Sequence, residues 1–112
     1  MKLVLDENIK EIKLDNFNGG TGYLKAYMYT DEINKILRGV LEKGCSIGMH
    51  THEDTSEIIY IISGKGKSIC DGNTEYLEEG NIHYCEKGST HTLINEYEEP
   101  LVFFAVIPTI KG

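Results

Sequence analysis

The stretch GCSIGMHTHEDTSEIIYIISG, residues 44–64, determines how this sequence is expected to fold. Its first half places His50 and His52 two residues apart, and its second half begins with Glu57, just before a run of aliphatic residues. Residues two apart on a strand share a face, so we expect both imidazoles to point the same way. Glu57 starts the next strand and can turn its carboxylate to that face.

A second stretch, GNIHYCEKGSTHTLIN at residues 80–95, contributes one more histidine, His91. It lies on a later strand, which a closed barrel can bring alongside the first. Three imidazoles and one carboxylate that converge in a mostly apolar interior are costly to bury unless they bind something. Neutral imidazoles and an ionised carboxylate are ligands for a divalent transition metal, so the two stretches predict a metal site.

The sequence around these stretches predicts an almost all-β chain. From Gly22 onward, short apolar segments alternate with Gly, Asn and acidic turn residues, a spacing that is typical of a sandwich or barrel. Asp71-Gly72-Asn73 between two short segments favours a hairpin. The predicted strands are Tyr23–Tyr29, Lys35–Leu41, Ile47–His52, Glu57–Ile62, Lys67–Asp71, Glu75–Leu77, Ile82–Cys85, Thr90–Asn95 and Leu101–Ile107.

Length and composition narrow the class of protein. With 112 residues, 40% hydrophobic and 26% charged, the chain is expected to form one domain, residues 1–112, with an N-terminal arm at 1–21. The net charge is −7 and the basic residues are scattered singly, so we expect no nucleic-acid partner. The longest apolar runs are too short to cross a bilayer, and residues 1–10 do not resemble a signal peptide. Three cysteines without a CxxC pair suit a reducing compartment, so we expect a cytoplasmic protein.

Together, the two stretches resemble the paired motifs of the cupin superfamily. The first matches G-x5-H-x-H-x4-E-x6-G at every fixed position, from Gly44 to Gly64. The second resembles G-x5-P-x-G-x2-H-x3-N, with Glu86 in place of the proline. Its other fixed positions are matched by Gly80, Gly88, His91 and Asn95. The resemblance covers residues 37–107, and the close spacing of the two motifs is similar to that of compact, single-domain microbial cupins.

This resemblance implies a small jelly-roll barrel, or double-stranded β-helix, whose metal site lies inside and opens at one end. It also implies that each chain binds one divalent transition metal, for which Mn, Fe, Ni and Zn are the candidates, and it implies which residues are the ligands. Those ligands are His50, His52, Glu57 and His91. In six-coordinate geometry about two positions stay open for water or a substrate. The absent proline relaxes a turn and leaves the ligand set intact.

Cupins of this kind suggest two functions for the chain. The first is a small metalloenzyme of dioxygenase, decarboxylase or isomerase type that acts on an oxygen-rich small molecule, with Arg38 or Tyr84 orienting the substrate. The second is a non-catalytic, metal-dependent binding or sensor module. Arg38 can point into the barrel mouth or outward into an ion pair, and only one of Tyr84 and Cys85 can face the metal. His83 matches no motif position, and we expect it at the surface.

Two apolar runs, Ile58–Ile62 and Leu101–Ile107, indicate strands that are covered on both faces. Either the N-terminal arm or another subunit must cover the outer face. Ile9, Ile12 and Leu14 give the arm an apolar character that suits pairing across an interface. Because an exposed apolar patch is a liability on a monomer, we predict a homodimer.

Overall fold

The computed structural model of the chain describes residues 1–110, and its regular secondary structure consists almost entirely of strands. Each of the nine predicted strands coincides with an observed one, and a tenth strand lies in the N-terminal arm. A one-turn 3-10 helix spans Phe17–Gly19. The strands are β1 (Glu11–Asp15), β2 (Tyr23–Thr30), β3 (Asn34–Leu41), β4 (Ser46–Thr51), β5 (Glu57–Ser63), β6 (Lys65–Cys70), β7 (Asn73–Glu78), β8 (Ile82–Cys85), β9 (Thr90–Ile94) and β10 (Leu101–Pro108).

These strands form two antiparallel sheets that face each other. The larger sheet has the order β1-β2-β3-β10-β5-β8, and the smaller has the order β4-β9-β6-β7. The β6–β7 hairpin turns at Asp71 and Gly72, which both have positive φ, as a two-residue turn between twisted strands requires. The predicted all-β class and the double-stranded β-helix are therefore confirmed.

Alternation along β5 separates the inside of the barrel from the outside. Glu57, Ile59 and Ile61 are buried, whereas Ile58 and Tyr60 between them are exposed. The same alternation on β10 turns Leu101, Phe103 and Ala105 into the core and leaves Phe104 at the surface. Both strands thus carry apolar side chains on both faces, and the inner set packs against the smaller sheet.

The outward apolar residues of three neighbouring strands form a patch, which we call the outer patch. Tyr60 pairs with Phe104 on one side and with Ile82 on the other, and Ile58 pairs with Tyr84. All five of these side chains are exposed. The N-terminal arm does not cover them, because β1 pairs with β2 at the opposite edge of the sheet from β8.

The segment around the 3-10 helix packs closely against the strand that carries His50. A Cβ atom at Gly48 would lie 2.1 Å from the carbonyl oxygen of Asn18, so only glycine permits this approach of two backbones. Around Gly48, the register between β4 and β9 shifts between Ile47 and His50. This bulge turns both Ile47 and His50 toward the interior, although the two residues are three positions apart.

Two further observations bear on the setting of the chain. Within residues 1–110, no helix is long and apolar enough to cross a membrane. Cys45, Cys70 and Cys85 are all free thiols, in agreement with the reduced cysteines that the sequence predicts.

Candidate metal centre

The four residues predicted as ligands lie together at one end of the barrel interior. The donor atoms of His50, His52, Glu57 and His91 all lie within 4.8 Å of one another. His50 at the end of β4 pairs directly with His91 on β9, and Glu57 begins β5 on the facing sheet. His52, Glu57 and His91 are buried, and the His50 side chain is 22% exposed.

The turn before β9 holds His52 beside His91. The backbone N–H of Gly88 donates to the carbonyl of His52, and the N–H of His52 donates to the carbonyl of Ser89 at 3.0 Å. The turn closes with a 3.0 Å bond from the Ser89 N–H to the Glu86 carbonyl, so it forms without the proline of the family motif. Gly88 has a φ of +89°, which glycine adopts without strain.

The last motif residue, Asn95, has a structural task. Its side chain is fully buried and donates 2.9 Å hydrogen bonds to the carbonyls of Leu41 and Glu99. Its Oδ1 accepts the N–H of Tyr97 at 2.9 Å. Because the amide nitrogen and oxygen are engaged by the end of β3 and by the turn between β9 and β10, Asn95 anchors β9 and is not a ligand.

Each histidine of the cluster turns Nε2 inward and uses Nδ1 for a bond to its surroundings. His50 Nδ1 donates to the Gly48 carbonyl at 2.7 Å, and His52 Nδ1 lies 2.7 Å from the Thr55 hydroxyl. His91 Nδ1 lies 2.9 Å from Nε2 of His83. A carbonyl oxygen only accepts, so the neutral His50 ring keeps its lone pair on Nε2. Such outer bonds are the usual way to orient an imidazole toward a metal.

The spacing of the donor atoms fits a metal ion. The Nε2 atom of His91 lies 3.0 Å from that of His52, 3.1 Å from that of His50 and 2.9 Å from Glu57 Oε1. Bonds of about 2.1 Å at right angles place neighbouring ligands about 3.0 Å apart, so these distances match the edges of an octahedral shell. Bare nitrogen lone pairs at this distance repel unless a proton or a metal cation lies between them. The cluster therefore fits a cupin metal site.

The carboxylate and the imidazoles shift each other's protonation in the metal-free chain. Burial alone would raise the pKa of Glu57, but hydrogen bonds with His50, His52 and His91 outweigh it and hold that pKa well below its ordinary range. Burial would lower the pKa of His50, yet its bonds with Glu57 and Gly48 raise it. Burial lowers the pKa of His91 against the attraction of Glu57. Glu57 thus stays ionised, as a metal ligand must.

An open cavity of about 440 Å³ leads from the surface to the cluster. Its wall includes seven apolar side chains and several polar ones, and Lys35 is the one lysine or arginine among the described residues that line it. The volume lies within the range of about 300–1,000 Å³ typical of small-molecule sites. The apolar wall residues are Phe17, Leu24, Ile33, Leu37, Ile47, Phe103 and Ile107.

Arg38 and Tyr84, which the sequence offers as substrate-orienting residues, are not brought to the cluster. Tyr84 is 55% exposed and belongs to the outer patch, because its neighbours His83 and Cys85 are the buried residues of β8. Arg38 lies between the inward-facing Leu37 and Gly39 on β3 and pairs with Phe104, so its side chain leaves the opposite face of the sheet. The structure therefore favours the outward alternative for Arg38 and does not place Tyr84 as a substrate-orienting residue, since the larger sheet separates both side chains from the cavity.

Cys85 faces inward, directly across from Glu57 on the neighbouring strand. The thiol is fully buried, and burial together with the nearby Cys70 and Glu57 raises its pKa to about 12. A thiol with this pKa stays protonated near neutral pH and is a poor metal ligand, since metals bind the thiolate. Of the two alternatives for this residue, the structure favours a small buried side chain in the barrel wall.

His83 is the site residue that the sequence analysis misses. It is expected at the surface, but its side chain is only 1% exposed and lies against His91. Its Nδ1 lies 2.8 Å from Glu75 Oε1, and its Nε2 lies 3.3 Å from the Ser68 hydroxyl. The register of β5 with β8 pairs His83 with the buried Ile59, which turns it inward. The shared parity of His83 and Cys85 is the one sequence feature that indicates this placement.

Comparison with known proteins places the chain in a family. The family model described as a cupin domain matches residues 37–107, and the chain belongs to this family. The span is the one over which the two sequence motifs show their resemblance, and it includes all four residues of the cluster.

Relatives of known name and structure agree with this assignment. The chain is 31% identical over 111 residues to a Thermotoga maritima protein named oxalate-binding protein, covering 94% of this chain and 92% of the relative. The crystal structure of a predicted oxalate decarboxylase from Thermotoga maritima has a TM-score of 0.89 at 26% identity, covering 97% of this chain and all of that one. The cupin domain of Schizosaccharomyces pombe Cnp3 shares the fold alone, with a TM-score of 0.72 at 14% identity, over 77% of this chain and 61% of that one.

Proposed function

We propose that this cupin holds one divalent transition metal and binds a small, oxygen-rich carboxylate at the open positions of that metal. Mn, Fe, Ni and Zn are the candidate ions, and His50, His52, Glu57 and His91 are the ligands. The observation that carries the proposal is the inward set of Nε2 atoms, spaced 3.0–3.1 Å apart around His91 next to an ionised carboxylate. The names of the Thermotoga maritima relatives support oxalate-like acids as the ligand class.

The charge of the site favours an anion although the whole chain carries −7. Three neutral imidazoles and one carboxylate contribute −1, so a divalent ion brings the cluster to a net charge of about +1. Lys35 adds a positive charge to the lining of the cavity. A low-dielectric wall strengthens both attractions because it keeps water from screening them.

We further propose that the site works as a small metalloenzyme of decarboxylase, dioxygenase or isomerase type. The metal supplies Lewis-acid or redox chemistry when bound. The chain's own residues fix the reacting molecule: the four ligands leave about two coordination positions, enough for two oxygens of a carboxylic acid. The apolar wall around Leu37 and Phe103 reduces the contact of the bound acid with water.

A non-catalytic binding or sensor module is the second candidate. The name of the 31% identical relative favours it, since that protein is called oxalate-binding. The lining of the cavity also offers little for proton transfer. Among the described residues that line the cavity, Asp31 is the one acidic residue besides Glu57. Its Oδ1 already accepts the N–H groups of Ile33 and Asn34. These bonds lower the pKa of Asp31, so it is a poor proton donor near neutral pH.

Metal analysis followed by a ligand panel tests the proposal and separates the two candidates. Protein purified without chelator or affinity tag should contain about one divalent ion per chain, and removing the ion should lower Tm, because a ligand at 100 times its Kd stabilises by about 2.7 kcal/mol. Oxalate and longer dicarboxylates should then bind only to the metal-containing protein. Release of carbon dioxide or uptake of dioxygen supports the enzyme. Tight binding without turnover under any metal or redox condition supports the binding module, and binding that ignores the metal contradicts both.

We also propose that the chain forms a homodimer through the outer patch. Five exposed apolar side chains on β5, β8 and β10 favour burial against a second copy, since closed two-fold pairing is the commonest way to cover such a surface. Light scattering should give twice the chain mass, and Tyr60→Lys should give a monomer that still binds metal. A monomer of the unmodified chain at micromolar concentration would contradict the dimer.

We propose a single cupin domain over residues 1–112 in the cytoplasm, without a nucleic-acid or membrane partner. The location is supported by the three free thiols, which persist in reducing compartments. The scattered basic residues and the net charge of −7 support the absence of a nucleic-acid partner.

A further inference from the structure

A line of three side chains runs from the protein surface to the cluster. Glu75 Oε1 lies 2.8 Å from His83 Nδ1, and His83 Nε2 lies 2.9 Å from His91 Nδ1. The Glu75 side chain is 49% exposed, whereas His83 and His91 are each only 1% exposed. The Glu75 carboxylate can therefore form hydrogen bonds with water. The two buried imidazoles cannot reach water and form a hydrogen bond with each other.

The chemistry of these groups sets the direction of both hydrogen bonds. An ionised carboxylate only accepts, so the proton lies on His83 Nδ1. In its neutral form the His83 ring then carries a lone pair on Nε2, which accepts the Nδ1–H of His91. The planes of the two rings are inclined by only 17°, and their centroids lie 5.2 Å apart across the 2.9 Å contact between the two nitrogens. This centroid distance requires the rings to lie end to end, so the His91 N–H points along the plane of the His83 ring, where the Nε2 lone pair lies. The Ser68 hydroxyl, 3.3 Å from the same atom, can donate to it as well.

We propose that Glu75 and His83 are positioning residues that hold His91 in the one neutral tautomer able to bind metal. With its proton on Nδ1, His91 presents the Nε2 lone pair to the cluster. The competing tautomer has a ready partner, because a proton on Nε2 would point at Glu57 Oε1, 2.9 Å away. Glu75, acting through His83, opposes the move of the His91 proton from Nδ1 to Nε2. The proposal rests on the proposed metal site, but the tautomer itself is a property of the metal-free chain.

Nitrogen-15 NMR of the metal-free protein reads the tautomers directly. The chain has four histidines, so long-range proton–nitrogen correlations of the ring atoms can be assigned with single substitutions. His83 and His91 should both show Nδ1–H and a bare Nε2. In Glu75→Ala and in His83→Phe, the His91 proton should move partly or wholly to Nε2. Glu75 is half-exposed, so its substitution keeps the experiment informative if the buried His83→Phe variant does not fold.

Zinc affinity, measured by competition with a chromogenic chelator, gives the second readout. His83→Phe should bind Zn²⁺ about 10–100-fold more weakly, as is typical when the outer partner of a ligating histidine is lost. Glu75→Ala should shift the affinity in the same direction by a smaller factor. Glu78→Ala is the matched control, because Glu78 lies on the same strand but faces away from the buried side of β7, and it should leave affinity and tautomers unchanged.

The outcomes separate this proposal from the metal site on which it rests. An Nε2–H on His91 of the unmodified metal-free chain overturns it, as do tautomers and zinc affinity that both remain unchanged in Glu75→Ala. The expected tautomers in a chain that binds no metal would support the ordered hydrogen bonds and contradict the proposed function alone.

Discussion

The two ends of the barrel interior bury opposite kinds of side chains. At the end away from the cavity, Leu41, Ile61 and Leu101 are fully buried among other apolar residues. At the cavity end, Glu57 and His91 are buried almost as completely, in contact with further imidazoles. Apolar burial is favourable without any partner, at roughly 25 cal/mol per Å². The ligand end is costly to bury until a cation joins its donor atoms, so its contribution to stability depends on the metal.

The largest expected effect comes from a substitution at the apolar end, which should change stability without changing metal binding. Leu101→Ala should lower the free energy of unfolding by about 2–5 kcal/mol, because it leaves a cavity where the side chain is fully buried. Chemical denaturation should show this loss equally with and without zinc, while zinc affinity stays near that of the unmodified chain. A large loss of zinc affinity would mean that the two ends are not independent.

His50→Ala makes the complementary change at the ligand end. Zinc affinity should fall by more than the roughly 100-fold that marks the upper limit for residues outside the coordination shell. Because the His50 side chain is partly exposed, the metal-free variant should lose less stability than Leu101→Ala does. Calorimetric titration and denaturation of the same samples check both statements. Retained zinc binding would remove His50 from the ligand set.

Acid should weaken the ligand end of the metal-free protein through Glu57. Its folded-state pKa is lowered relative to the unfolded chain, so its contribution to stability is present above the unfolded value of about 4.3 and is lost as the pH falls through the folded value. Stability measured against pH should therefore fall more steeply on the acid side for the unmodified chain than for Glu57→Gln. Parallel curves for the two proteins would contradict the assigned pKa shift.

The smallest expected effect concerns the outside of the larger sheet. Arg38→Gln and Tyr84→Phe should each change the free energy of unfolding by no more than about 0.5 kcal/mol and leave zinc and ligand affinity unchanged. Both side chains leave the sheet on the face opposite the cavity. A specific loss of carboxylate binding in either variant, measured by titration, would bring that residue back to the site.

The sequence predicts those features that depend on spacing along the chain. Alternating apolar residues and turn residues give nine strands from Tyr23 onward, and the motif spacing selects all four members of the cluster. The hairpin at Asp71 and Gly72 follows from residues that tolerate positive φ. Each of these features depends on the residues of a short segment, so it can be predicted without knowing which strands are neighbours in the sheet.

The features that the sequence analysis misses depend on how strands pair. His83 faces the interior and not the surface, and the sequence leaves the faces of Arg38 and Tyr84 open, because the register with a neighbouring strand decides the face. The bulge between Ile47 and His50 reverses the alternation of inward and outward side chains along β4. No local pattern in the sequence predicts this bulge. Pairing of β1 with β2 within the same chain also requires the folded sheet, and it leaves the outer patch uncovered.

Anomalous X-ray scattering from crystals of the zinc-reconstituted protein tests the central claim most directly. One strong peak should appear at the zinc absorption edge, about 2.0–2.2 Å from Nε2 of each of the three histidines and from a carboxylate oxygen of Glu57. The three histidines are His50, His52 and His91. No peak among these four side chains, or zinc bound only elsewhere on the chain, would contradict the account.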